Sequence, residues 1–508
     1  MTAQLTATSR APRFPGGRSE WLTDPRANLL SGLVVALALI PEAISFSIIA
    51  GVDPQVGLYA SFSIAIIISF AGGRPGMISA ATGAMALVIV PLVEEYGIGY
   101  LFAATVLAGV FQVAFGYLGV GELMRFIPRT VMIGFVNALA ILIFVAQIPH
   151  ILLTDDEADS GQLPMNLLFI AIGLLIIYGL PRITKTIPSP LVAIVVLAIA
   201  AITFDLQLPT VGDMGQLPSA LPLPGLPDVP FSFGTLQIIL PFAITLALVG
   251  LLESLLTAQL LDDLTDSDSD KNVESRGQGI ANVATGFLGG MAGCAMIGQS
   301  MINYRTGGRT RLSTLASGLF LLVLVLGLGD FVAKIPMGAL VAVMIMVSIG
   351  TFNWRSVQLS TLRSVPRPET AVMLVTVAIT VATENLAYGV GAGVVLSAVF
   401  FVRHVSHLVR VTSVVDPDNA ERLYDVRGEL FFASTNDLVH SFDYDAVQVN
   451  RVEIDMSNAR IWDTSAVGAL DAVVGKFAER GISAHLVGLN RHAERLHQDT
   501  SGQMGPDH

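Results

Sequence analysis

Charge is scarce in this chain. Charged residues make up 13% of the 508, about half the share usual in a soluble protein. Cysteine is almost absent: Cys294 stands alone, which excludes an intramolecular disulfide and any cysteine-based metal cluster. Positive charge is the scarcer sign, 28 Lys and Arg against 40 Asp and Glu for a net charge of −12. No basic patch offers a hold on phosphates, so nucleic acid is not a partner. None of the eight histidines falls inside an apolar segment core; His404 and His407 read as interfacial or solvated. No Ser/His/Asp set, metal-ligand cluster or P-loop occurs, so the chain does not read as an enzyme. Apolar residues are plentiful, at 53%. The whole reads as a polytopic membrane protein with a soluble part attached.

The first apolar run, "LLSGLVVALALIPEAISFSIIA" (Leu29–Ala50), spans about 33 Å as a helix, enough for a bilayer core of roughly 30 Å. It contains two adjacent faults. Pro41 removes a backbone donor and clashes with the preceding turn, so the helix is expected to kink or break there. Glu42 puts a carboxylate near mid-span, at about 3 kcal/mol on insertion scales. A tolerated kink with a hydrogen-bonded carboxyl would accommodate both; so would a broken helix beside a mid-membrane binding site. The polar residues before this run carry Arg10, Arg13 and Arg18 and show no cleavage site. The run is too long for a signal peptide, so residues 1–27 are expected to stay on as a cytosolic segment.

Apolar segments follow near 29–50, 56–72, 76–92, 98–119, 126–148, 165–181, 187–204, 233–260, 277–291, 293–304, 312–329, 336–351, 370–384 and 387–402. With the N-terminus inside, the cytoplasmic loops hold Arg74, Arg125, Arg129, Arg182, Lys185, Lys271, Arg276, Arg305, Arg309, Arg311, Arg355, Arg363 and Arg367, and the external loops only Lys334. That asymmetry fixes an even number of segments with both ends in the cytosol. The proline-rich connection from Asp205 to Pro230 divides the region into halves, 28–206 and 232–410. Seven segments in each force the halves to enter from opposite sides, so any likeness between them is an inverted repeat. "ALALIPEAI" in the first half and "LALVGLLES" in the second echo one another, with Glu42 and Glu253 one position apart.

The third segment of each half is stronger. "RPGMISAATGAMALVIVP" (Arg74–Pro91) and "GGMAGCAMIGQSMINYRTGGRT" (Gly289–Thr310) are short and rich in small residues. Each reads as an extended stretch leading into a half-helix, or as close packing through small residues. As half-helices, their N-termini would meet near the midplane and offer free N–H groups and positive dipole ends to an anion.

From Glu421 the pattern changes to a small α/β domain, 421–498. "RLYDVRGELFFAS" and "NRVEIDMSN" read as strands, "DTSAVGALDAVVGKFAERG" as a helix with Asp463 as N-cap and Gly481 at its stop, and "ISAHLVGL" as a further parallel strand. Thr464 and Ser465 stand at a helix N-terminus, where a phosphorylated hydroxyl would be favoured or where they simply cap.

"DPQVGLYASF" (Asp53–Phe62), "GQGIANVATGFLGGM" (Gly277–Met291) and "NYRTGGRTRLS" (Asn303–Ser313) resemble the characteristic blocks of the SulP (sulfate permease) anion transporters. The resemblance covers the membrane region, and the tail resembles the STAS domain shared with anti-sigma-factor antagonists. It implies fourteen segments as a seven-plus-seven inverted repeat in core and gate domains, with segments one, three, eight and ten forming the substrate site. The positions expected to bind substrate are Glu42, Phe46, Thr82, Gly83, Ala84, Met85, Glu253, Ile297, Gly298, Gln299 and Ser300. Three features depart from the family pattern. Ala84 follows Gly83 where many members have proline, Gln299 stands where many have arginine, and the tail loop reads Asp463, Thr464, Ser465, Ala466 instead of Asp-Ser-Ser-Gly.

An anion entering a site that has a carboxylate and no arginine is repelled unless the carboxylate is neutral. The expected function is therefore proton-coupled symport of a carboxylate or dicarboxylate by alternating access, with Glu42 and Glu253 as proton carriers. Sodium-coupled bicarbonate or proton-coupled sulfate transport is the alternative, and an uncoupled anion channel the alternative of another class. No cofactor is expected beyond the coupling ion. The expected setting is the inner (plasma) membrane, with a homodimer and a cytosolic regulatory protein at the tail.

Overall fold

The structure is a computed structural model that describes residues 18–122, 127–153, 162–183, 188–383, 385–415, 421–445 and 449–501. Arg10, Arg13, Arg125 and Lys185 of the charge argument lie outside them. The chain resolves into two compact units, Met1–Gly393 and Val394–His508, the division falling inside the last long helix.

After a short helix at Arg18–Leu22, the first unit runs through α1 (Pro25–Ile49), α2 (Pro54–Ala71), strand β1 (Ser79–Ala81), α3 (Gly83–Tyr96) and α4 (Ile98–Tyr117). Then come α5 (Arg129–Val145), α6 (Leu163–Gly179) and α7 (Ser189–Thr203). The second half repeats the series: α8 (Phe233–Thr265), α9 (Lys271–Phe287), strand β2 (Gly293–Ala295), α10 (Ile297–Arg305) and α11 (Arg311–Ala333), then α12 (Met337–Thr351), α13 (Arg367–Thr383) and α14 (Leu386–Ser406). Among the described residues, eight helices are long and apolar enough to cross a membrane, while α7 and α12 are shorter apolar helices.

The packing carries the repeat. α4 lies against α8 and α9, and α11 lies against α1 and α2; exchanging the halves turns one set of contacts into the other. The same exchange relates α5 against α13 to α12 against α6. Two groups of helices result, α1–α4 with α8–α11, and α5–α7 with α12 and α13. In the first group, α4 and α9 touch through Gly109 and Gly279: a Cβ on either would come within 2.6 Å of the other's carbonyl oxygen. Only glycine permits that approach.

The break allowed for at Pro41 does not occur: α1 runs on through it as one helix, as α8 does through Pro241. A membrane helix tolerates proline when neighbouring groups and small adjustments satisfy the freed backbone. The interrupted segments are the third and tenth, where a three-residue strand precedes a short helix. α9 also starts earlier than its apolar pattern suggests, because Asp270 caps it by accepting from the amides of Asn272 and Val273 at 2.9 Å each.

The second unit contains the remainder of α14 and a sheet in the order β3 (Arg410–Val415), β4 (Glu421–Leu430), β5 (Arg451–Ile461), β6 (Ser483–Val487). β3 pairs antiparallel with β4; β4–β5 and β5–β6 are parallel. The helices α15 (Thr435–His440) and α16 (Thr464–Ala478) make the crossovers, and α17 (Arg491–Thr500) closes the domain. α16 buries Val467, Leu470, Val473 and Phe477. Phe477 meets Tyr424, Phe442 and Tyr444 in an aromatic cluster. Burial, with the nearby Tyr424, pushes the Tyr444 phenol up to about 12 against the pull of Arg480. Neutral, it donates to the carbonyl of Val439 at 2.7 Å.

Candidate functional site

The site begins with a crossing. β1 and β2 pair antiparallel, Ser79 opposite Ala295, Ala80 opposite Cys294 and Ala81 opposite Gly293. Buried side chains hold both strands in place. Glu274 of α9 accepts from the amides of Gly73 and Arg74 at 2.7 and 3.0 Å, fixing the turn before β1. Gln278, one turn on, donates to Ser79 Oγ at 2.6 Å. Asn282 brackets Gly293, donating to its carbonyl at 3.0 Å and accepting its N–H at 2.9 Å. α3 and α10 start immediately after these strands. α3 is capped by Thr82, which accepts from Met85 N–H, whereas α10 has no side-chain cap. The first amides of α10 are therefore left for whatever occupies the space ahead of them.

That space is a cavity of about 510 Å³. The first helix group contributes Glu42 and Phe46 from α1, Thr82 and Gly83 at the start of α3, Glu253 and Leu256 from α8, and Met296–Ile302 with Arg305 along α10, Ser300 excepted. The facing wall is apolar except for Thr351 at the end of α12: Phe135, Val136, Leu139 and Ile143 of α5, and Met346, Val347 and Gly350 of α12. The cavity thus lies between the two helix groups. It reaches the surface at Arg305 and Gly350, both exposed, on the face where α10 and α12 end and α1 begins.

Two carboxylates stand in it. Glu42 is 9% exposed and accepts from Gln299 Nε2 at 2.7 Å. Glu253 accepts from the Cys294 thiol at 2.9 Å, and that sulfur lies 3.1 Å from Thr82 Oγ1. Gly298 faces open space, with nothing within 4 Å of where a Cβ would be. At Gly83 a Cβ would meet the ring of Phe46 and the tip of Ile143, both at 3.0 Å.

Of the positions singled out from sequence, Glu42, Phe46, Thr82, Gly83, Glu253, Ile297, Gly298 and Gln299 line the cavity. Ala84, Met85 and Ser300 lie behind the lining, because successive helical residues turn about 100° away. Met85 rests its methyl on Gly250. Ser300 accepts from the amide of Ile78 at 3.0 Å and so ties α10 to β1. In the other unit, Asp463 caps α16 through Ala466 N–H at 2.9 Å, with Thr464 half-buried and Ser465 exposed beside it.

Sequence reasoning missed the apolar wall, the thiol contact to Glu253, and Arg305 on the rim. Arg305 was legible: it lies seven residues after Gly298 and shares its helix face. Among the described residues no group of acidic, histidine or cysteine side chains is suited to hold a metal ion.

Residues 26–376 match the sulfate permease family and residues 412–501 match the STAS domain. The chain belongs to the sulfate permease family. It is 57% identical over 479 residues to the Bacillus subtilis protein named "Putative sulfate transporter YbaR", covering 94% of this chain and 98% of that one. The transmembrane domain of a cyanobacterial bicarbonate transporter, BicA, superposes with a TM-score of 0.64 at 28% identity, over 73% of this chain and 98% of that chain. The murine anion transporter Slc26a9 in its inward-facing state shares the fold, with a TM-score of 0.80 at 16% identity over 96% and 88% of the two chains. This member of the sulfate permease family is a multi-pass membrane anion transporter with a C-terminal STAS domain, and not an enzyme.

Proposed function

We propose that this transporter is a secondary active, proton-coupled symporter of a small carboxylate or dicarboxylate. The observation that carries the reading is the pairing of two carboxylates, Glu42 and Glu253, with a largely apolar cavity whose cationic residue, Arg305, sits at the rim. An anion at the crossing meets like charge unless a carboxyl is protonated. An apolar wall suits the carbon skeleton of an organic acid, whereas sulfate would leave several oxygens without donors. In this reading Glu42 is the principal proton carrier, Glu253 the second candidate, and the first amides of α10 with Thr82 and Gln299 hold the substrate carboxylate.

The α1–α4 and α8–α11 group moves against the other group as the core against the gate, exposing the cavity alternately. The domains are taken as 1–27 cytosolic, 28–410 transport and 421–498 STAS. With both termini in the cytosol of the inner (plasma) membrane, the cavity faces inward. The STAS domain offers Thr464 and Ser465 for phosphorylation and a surface for a cytosolic regulator, and the working unit is a homodimer. Proton-coupled sulfate or sodium-coupled bicarbonate transport is the second reading, favoured by the names of the two relatives above.

The test is uptake by the reconstituted full chain in liposomes, with sulfate, bicarbonate and dicarboxylates each offered with and without a pH gradient and with and without a sodium gradient. Dicarboxylate accumulation driven by external acid is expected. Accumulation only with sodium moves the assignment to the second reading. Flux that never exceeds electrochemical equilibrium makes the protein a channel.

A further inference from the structure

Gln299 is buried, 1% exposed, and borders the cavity. One end of its amide, Nε2, is committed to Glu42 at 2.7 Å. The other end, Oε1, has no hydrogen-bond partner. Buried polar atoms are nearly always paired, so an orphan on a cavity wall calls for a physical reason.

We propose that the Gln299 amide turns through half a rotation when Glu42 gains a proton, changing this part of the cavity wall from a hydrogen-bond acceptor into a donor. The inference rests on the proton-coupled reading above. An ionised carboxylate can only accept, so it takes the N–H of Gln299 and leaves the buried Oε1 lone pairs without a donor beside the cavity. A proton arriving from water in the cavity makes Glu42 a donor, and Oε1 is the acceptor at hand. The two ends of an amide are nearly the same size, so the rotation needs no extra room. Afterwards the Nε2 group presents its N–H donors where the lone pairs had been. One proton then acts twice in the same direction, removing a negative charge and supplying donors to the anion.

The other charged groups around this pair are fixed or distant. Glu253 of α8 is engaged by Cys294, and Arg305 lies at the far end of α10. On the remaining helices packed against α1 and α10, α2, α7 and α12 carry no charged residue. Those of α3 and α11, Glu94, Glu95, Arg311 and Asp330, stand at or near helix ends, as do Asp262 and Asp263 of α8 and Arg26 of α1.

The experiment is pH-difference infrared spectroscopy on the full chain in liposomes, with glutamine side chains carrying ¹³C at the amide carbon. As pH falls, a protonated-carboxyl band is expected to rise. In step with it, a glutamine carbonyl band should move from the free to the hydrogen-bonded position. Gln299→Met should remove the second change and keep the first, while Glu42→Gln should remove both. Gln299→Asn, too short to reach Glu42, serves equally if the methionine variant does not fold. A carboxyl band that titrates without a glutamine band following it overturns the rotation, as does a glutamine change that survives both Gln299 variants. The same vesicles report acid-driven uptake of labelled succinate, sulfate and bicarbonate. Accumulation with a static glutamine band sinks the rotation and spares proton coupling. No carboxyl band and no accumulation sink both.

Discussion

Glu42 on α1 and Glu253 on α8 hold corresponding places in the two repeats and border the same cavity, but their neighbours differ. Glu42 reaches across the repeat boundary to an amide at the start of α10. Glu253 takes the thiol of Cys294 in its own repeat, and that sulfur contacts Thr82, the cap of the opposite half-helix. A thiol and a hydroxyl in series link Glu253 to the cap of the opposite half-helix. The Gln299 amide keeps one end, Oε1, buried and without a partner. The inverted repeat therefore supplies two corresponding carboxyl positions whose hydrogen-bond partners differ.

The harshest way to break this comparison is to block the space both carboxylates share. Gly298→Trp should abolish uptake in liposomes while thermal melting stays near the unmodified value, because nothing stands within 4 Å of the added Cβ. Melting that collapses instead would show that Gly298 is needed for packing.

Next comes the carboxylate paired with Gln299. A symporter moving one proton per anion accumulates substrate about tenfold per unit of imposed pH gradient. Glu42→Gln should bring that ratio to unity while exchange across the membrane continues. If Glu42→Gln still accumulates substrate, the coupling residue is elsewhere.

A smaller effect is expected from the carboxylate paired with Cys294. Glu253→Gln should slow uptake several-fold, on the order of exchanging a charged for a neutral acceptor opposite Cys294, and leave the accumulation ratio intact. Loss of accumulation in this variant alone would transfer the coupling role to Glu253.

The smallest effect lies outside the membrane, where a carboxylate has a cation beside it. Arg427 donates to Asp425 at 2.7 Å and, with Asn458, holds this carboxyl below its ordinary value of 3.8. A depressed value means that the contribution to stability is present above the ordinary value and fades as pH falls through the lowered one. Asp425→Asn should lower the melting temperature of the full chain slightly at pH 7 and by less in acid, as the carboxyl takes up its proton. An equal loss at both would point to a packing role.

Much of this arrangement could be read from residues alone. Apolar runs and the one-sided distribution of arginine give the segments, and an odd number per half gives the inversion. Small-residue stretches mark the two interrupted helices. The strand pairing could not be read, because three residues are too few for a periodic signal and the partner lies in the other repeat. Pro41 was misleading, since a proline announces a missing donor but not whether neighbours absorb it. The partner of Glu253 was hidden for a different reason. A single cysteine says what it cannot form, and only the crossing brings it to a carboxylate. Ala84, Met85 and Ser300 share the motif with the lining residues, but the helical turn directs them into the protein.

The ladder between β1 and β2 also bears on how the protein is made. Thr82 and Cys294, which meet beside it, are 212 residues apart. During synthesis, the first repeat must wait in the bilayer with a strand edge unpaired until the second repeat arrives. Unpaired backbone is poorly tolerated in lipid, so the nascent half needs shelter from its own helices or from the insertion machinery. A chain stopped between the repeats would have Glu42 without Gln299 and β1 without β2. The substrate site is thereby complete only once both repeats are in place.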